Sequence, residues 1–141
     1  MTIETASADE TITLGRRFAQ DLKPGDVVAF FGELGSGKTT MIKGICAGLS
    51  VKDTVRSPSF VVAVEYAGKC AGKPVRVNHV DLYRLHATSE LSDIGLGDYV
   101  VGDGITLIEW AERAQAVLPD AAIQVVLEVK DGTRRTISIE K

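Results

Sequence analysis

The chain has 141 residues, 45% hydrophobic and 25% charged, and its 16 Lys and Arg against 19 Asp and Glu leave a net charge of −3. That length suits a single domain, residues 1–141, with room for a proper core, and the charge argues against a protein built mainly to grip nucleic acid, which carries a basic footprint. No stretch approaches the roughly 20 apolar residues of a membrane span, and Met1-Thr2-Ile3-Glu4-Thr5 lacks the basic and apolar regions of an export signal, so a cytoplasmic location is expected.

In chain order, Asp9 to Leu22 reads as a helix with Ile12, Phe18, Ala19 and Leu22 on one apolar face. Lys23-Pro24-Gly25-Asp26 breaks it and leads into the apolar strand Val27 to Phe31. Next comes Gly32-Glu33-Leu34-Gly35-Ser36-Gly37-Lys38-Thr39, a complete phosphate-binding loop pattern, and then a helical segment from Thr40 to Leu49. The order of strand, loop and helix matters more than the pattern. Glycines such as Gly32, Gly35 and Gly37 let a backbone wrap an anion with its N–H groups inward. A helix start adds unpaired N–H donors and the positive end of a dipole. Lys38 can then reach the β- and γ-phosphates of a nucleoside triphosphate, and the Thr39 hydroxyl can ligate Mg²⁺.

Met41, Ile42, Ile45, Cys46 and Leu49 recur at helical spacing, so this helix packs one side on a sheet and Cys46 is a small core residue. Ser57-Pro58-Ser59-Phe60 is a polar turn before a strand from Val61 to Tyr66. A turn from Ala67 to Lys73, with Cys70 exposed in it, leads to a second strand from Pro74 to Val80 and makes an antiparallel hairpin. The two cysteines are too few for a disulfide framework and lack metal-site spacing. Thr88 to Leu91 marks a short helix start, Ile105 to Ile108 a buried strand, and Ala111 to Leu118 a helix stopped by Pro119. Two alternating runs, Ile123 to Val129 and Arg135 to Ile139, flank the Asp131-Gly132 turn. The sum is an α/β fold whose sheet mixes parallel and antiparallel strands.

A phosphate loop needs carboxylates to hold Mg²⁺ and orient water, normally at strand ends beside it. Asp81 follows the strand ending at Val80, and Glu109 follows the one ending at Ile108. His79, two residues before Asp81, could be a base or a metal ligand, but a strand histidine there reads first as a packing or hydrogen-bonding residue. Arg84 could reach phosphate or Asp81, or form a surface ion pair. A GTP-driven switch would need Asn-Lys-x-Asp and D-x-x-G segments, and neither occurs. A small-molecule kinase would need a second pocket and an arginine-bearing lid, and no lid-sized insertion exists.

The loop ending in Lys38-Thr39-Thr40, the Ser57-Pro58-Ser59-Phe60 turn, His79-Val80-Asp81-Leu82-Tyr83-Arg84-Leu85 and Ile108-Glu109-Trp110, in this order, resemble the TsaE family. These are small bacterial ATPases of transfer-RNA threonylcarbamoyladenosine synthesis. The match runs from about Thr11 to the final hairpin. It implies a P-loop NTPase-like sandwich with a central mixed sheet and flanking helices, and ATP and Mg²⁺ as cofactors. Lys38 and Thr39 would handle phosphates and metal, with Ser36 where the family often has alanine and Ser59 where it often has threonine. Asp81 and Glu109 would serve metal and hydrolytic water, Trp110 would lie near the nucleotide, and Thr11 and Arg134 would come near the base. Ser57 to Phe60 and Leu91 to Tyr99, with Gly95 and Gly97 as hinges, look like switch elements. The implied partners are TsaD and TsaB, whose complex the ATPase would reset between rounds, with transfer RNA met only through that complex.

Overall fold

A computed structural model of the chain describes residues 1–56, 63–83 and 96–141, excepting the side chains of 99–101. Seven strands form one sheet: β1 (Thr2–Thr5), β2 (Val27–Phe31), β3 (Ala63–Cys70), β4 (Lys73–Asp81), β5 (Ile105–Glu109), β6 (Ile123–Asp131) and β7 (Arg134–Glu140). The spatial order is β1-β7-β6-β2-β5-β4-β3. β2 runs parallel to both β5 and β6, and β4 parallel to β5, while β3–β4, β6–β7 and β1–β7 are antiparallel. The mixed sheet expected from the sequence is present.

Helices α1 (Ala8–Ala19) and α2 (Lys38–Gly48) belong with one face of the sheet and α3 (Leu96–Val101) with the other. The period of two along each strand decides which residues meet which layer. Val28 and Phe30 of β2, Val75 and Val77 of β4, and Ile105 and Leu107 of β5 join Leu14, Phe18, Met41, Ile42 and Ile45 in the larger core. Val27, Ala29, Val80 and Ile108 point the other way and pack with Leu96, Ala111 and Ala114. Cys46 lies fully buried in the larger core, as its helical spacing indicates, and burial pushes its thiol up to about 12.

Helix α1 starts one residue earlier than expected because Ser7 caps it, its hydroxyl accepting from Glu10 N at 3.2 Å. It lies so close to α2 that a Cβ added at Gly44 would collide with the carbonyl oxygen of Ile12. Alanine there gains about 1 kcal/mol of helix propensity, but the obstacle is backbone and cannot rotate away. Gly44→Ala is therefore expected to destabilise the fold by roughly 2 kcal/mol, as overpacking does, and to lower Tm by about 5 °C. An unchanged melting curve would mean that the two helices do not make this approach.

Several sequence readings need correction. The turn expected from Ala67 to Lys73 is only Ala71-Gly72, since β3 continues to Cys70. Cys70 is half-buried, not exposed, with its thiol donating to Leu22 O at 3.3 Å. The helix expected from Ala111 to Leu118 is present as a 3-10 helix over Ala111–Val117, broken at Ala114. β1 was not anticipated. Ser57-Pro58-Ser59-Phe60, Arg84, the Thr88 helix start and residues 91–95 lie outside the described residues, while Gly97 falls within α3.

Candidate functional site

The chain leaves β2 in one direction through α2 to β3 and β4, and β5 leads on to β6 on the other flank of β2. Such a reversal of strand order opens a crevice beyond the carboxyl ends of the parallel strands. The glycine-rich loop of residues 32–37 occupies that place. Gly37 has φ 102°, a left-handed conformation that glycine takes without a steric penalty, and it turns the chain into α2. No side chain caps this helix start and its first turn holds no acid. The first intrahelical bond runs from Met41 N to Gly37 O at 2.9 Å, so the amides before it have no helical acceptor. The local backbone is electropositive and suited to an anion.

Around this loop lies a cavity of about 550 Å³, within the range of small-molecule sites. Its floor is Gly35 to Thr40, its far wall Asp81, Tyr83, Glu109 and Trp110, and its rim Ser7, Ala8 and Thr11 of the α1 start with Thr133 and Arg135 of the last hairpin. Asp81 and Glu109 stand side by side because β4 and β5 are parallel with these residues in register. Both are about 95% or more buried, at 5% and 3% exposed. Glu109 Oε1 accepts from the Thr39 hydroxyl at 2.7 Å, and Oε2 lies 2.6 Å from His79 Nε2. Asp81 Oδ1 accepts from Tyr83 N at 2.9 Å.

Lys38 folds back over its own loop. Its ammonium donates to Gly32 O and, at 3.2 Å, to Glu33 O, and sits 3.7 Å from the centre of the Trp110 ring. Burial pulls the Lys38 pKa below its usual value, while Glu112, Glu109 and Asp81 oppose that fall. Trp110 takes a left-handed conformation, φ 58°, and Tyr83 packs against it at a 45° tilt with centroids 5.0 Å apart.

The structure thus brings Thr11, Gly35, Ser36, Gly37, Lys38, Thr39, Thr40, Asp81, Glu109 and Trp110 around one cavity. Gly32, the first residue of the loop, does not line the cavity but accepts from the Lys38 ammonium through its carbonyl. Arg134 does not line the cavity: it lies 3.5 Å from Glu4. Its neighbour Arg135 does, and is held by Gly35 O at 3.2 Å and Gly132 O at 2.9 Å. Sequence reasoning did not assign Ser7, Ala8, Leu34, Tyr83, Thr133 and Arg135 to the site, though all line the cavity. The Ser7-x-x-Glu10 capping pattern could have fixed where α1 begins, but nothing in it points to a cavity.

Among the described residues no group of three His, Cys, Asp or Glu could hold a metal. Mg²⁺ needs no such cage: it takes one or two carboxylates and fills its other positions with water and ligand oxygens. Thr39, Asp81 and Glu109 offer the oxygen donors such an ion prefers, at the mouth of an anion-accepting loop.

Fold and site together define an α/β domain of the P-loop NTPase-like type. The family model described as "Threonylcarbamoyl adenosine biosynthesis protein TsaE" matches residues 5–137. The chain belongs to the TsaE family. It is 36% identical over 134 residues to the tRNA threonylcarbamoyladenosine biosynthesis protein TsaE of Bacillus subtilis, covering 95% of this chain and 81% of that one. It is 33% identical to the Treponema pallidum protein of the same name, covering 94% and 95% respectively. Its fold is similar to the crystal structure of YdiB from Bacillus subtilis, with TM-score 0.81, 31% identity, and coverage of 99% of this chain and 83% of that one. Among the described residues no helix is long and apolar enough to cross a membrane.

Proposed function

We propose that this chain binds ATP with Mg²⁺ in the cavity and hydrolyses it, in support of threonylcarbamoyladenosine modification of transfer RNA. The observation that carries the reading is the meeting of Thr39, at the head of an uncapped helix, with Glu109, beside Asp81 on the neighbouring strand end. Amides and Lys38 take the phosphates, and Lys38 leaves Gly32 O to do so. Mg²⁺, when bound, neutralises phosphate charge and orders water next to it. Glu109 and Asp81 orient oxygen donors at the phosphate end. The uncapped amides and Lys38 face the charge that develops during transfer, which is where preorganised donors lower a barrier most. Thr11 and Arg135 flank the far side of the loop, where the nucleoside would rest. The site has no guanine-reading motif, so ATP is preferred over GTP.

Trp110, the single tryptophan, lines the cavity and contacts Lys38. Its emission should therefore change on titration with Mg-ATP, at lower concentration than with Mg-GTP, and phosphate release should follow. A flat titration at saturating ATP would place the nucleotide elsewhere, and equal affinity for the two would reopen a GTP-type switch. The act itself, by this reading, is performed on a TsaD–TsaB complex, which the ATPase resets between rounds.

A further inference from the structure

His79 lies on the same face of β4 as Asp81, two residues away, and is fully buried. Its Nε2 is 2.6 Å from Glu109 Oε2. Its Nδ1 has no hydrogen-bond partner among the described residues. A proton on Nδ1 would be a buried donor with no acceptor, and a bare Nε2 would face a carboxylate lone pair. At 2.6 Å from a carboxylate oxygen, Nε2 is placed to be the donor and Glu109 Oε2 the acceptor.

Among the described residues the fold gives Nδ1 no partner, and a buried polar atom in that state costs about 1–3 kcal/mol. The benefit of the arrangement falls on Glu109. The terminal torsion of a glutamate is soft and roughly two-fold, so a carboxylate held at one oxygen keeps freedom to turn. Here Oε2 is tied to the core by His79, which leaves Oε1 directed at Thr39 and the cavity.

We propose that His79 is a positioning residue for ATP hydrolysis, fixing the Glu109 carboxylate so that Oε1 faces the reacting end of the cavity. This rests on the hydrolysis reading above. His79 is not itself the base: it does not line the cavity and has no exposed surface. It meets the nucleotide site only through Glu109, so its loss should lower turnover far more than ATP affinity. A misplacement of about 1 Å can cost roughly 100-fold in rate, which sets the scale.

Three variants separate positioning from bulk. In His79→Gln the side-chain amide reaches about as far as Nε2 and can donate to Glu109. In His79→Asn it ends near the Nδ1 position and falls short. His79→Leu offers no donor. Phosphate release and Trp110 emission with Mg-ATP give kcat and affinity, and thermal melts report folding. The Asn and Leu variants should lose about tenfold or more in kcat with affinity within about threefold, and Gln should recover most of the rate. In a Glu109→Ala background none of the three should cause further loss, because the group being positioned is gone. Equal losses in Gln and Asn, or losses that multiply in the Glu109→Ala background, would overturn the proposal.

The imidazole supplies a readout that does not depend on activity. ¹⁵N and ¹H resonances of His79 should show a hydrogen-bonded Nε2–H that shifts on Glu109→Ala. An Nδ1–H tautomer, or a signal indifferent to Glu109, would refute the proposal even in an inactive protein. A wild-type chain that binds ATP without hydrolysing it would instead defeat the hydrolysis reading, leaving the resonances to decide whether His79 holds Glu109.

Discussion

Lys38→Ala is expected to abolish ATP hydrolysis and leave a folded protein. The ammonium is the positive charge of the loop; among the described residues it makes no ion pair and rests on Gly32 O, Glu33 O and the face of Trp110. Those contacts exchange readily for phosphate oxygens. Removing one preorganised donor from a developing charge typically costs about 10²–10³ in kcat, so phosphate release should fall by at least roughly 100-fold. Near-normal turnover by the folded variant would remove the phosphate-loop assignment. Stability should move the other way. Burial lowers the Lys38 pKa below its ordinary 10.5, so the unfolded chain binds that proton more tightly than the folded one. Wild-type stability therefore rises with pH through the window between the lowered value and 10.5. Lys38→Ala lacks that rise. Urea unfolding should show the variant at its greatest relative advantage near neutral pH and a narrowing gap in alkali. Parallel pH dependences would mean that Lys38 is well solvated.

The strand ends were legible because Glu109 follows an apolar run and Asp81 an alternating one, and parallel pairing of β4 with β5 turns two sequence-distant ends into neighbours. The loop was legible because its chemistry is local. The last hairpin was less legible. A strand alternates faces with a period of two, and this hairpin carries a register shift between Val129 and Asp131 that the Asp131-Gly132 turn signal does not reveal. Arg134, expected near the base from the family resemblance alone, meets Glu4, while its neighbour Arg135 lines the cavity. β1 was missed for another reason. Thr2–Thr5 holds a single large apolar residue, Ile3, and its strand character comes from pairing with β7. Gly68 suggested a turn, but it lies within β3, where Lys69 N donates to Leu49 O at 2.5 Å.

ATP-dependent association with the TsaD–TsaB pair is the expected result that separates this reading from a self-sufficient enzyme. The described surface supports it in one respect. Leu34 at the tip of the loop and Tyr83 at the opposite wall are 75% and 42% exposed, and both border the cavity. Large apolar groups at the mouth of a site buried elsewhere suit a partner that closes over the bound nucleotide. Intrinsic hydrolysis in P-loop proteins is slow when a partner must complete the charge stabilisation. The isolated chain should then turn over ATP weakly, and the complex should raise the rate by about tenfold or more. If the γ-phosphate end is bound between Thr39 and the strand-end acids, as proposed, its loss would change the charge presented just below that rim. ATP and ADP should therefore give different affinities for the partners. Gel filtration of the mixed components with ATP, with ADP and without nucleotide tests this directly. Co-elution is expected with ATP and its loss with ADP. Identical elution in all three conditions, together with unstimulated hydrolysis, would leave an ATPase with no object to act upon and defeat the partner reading.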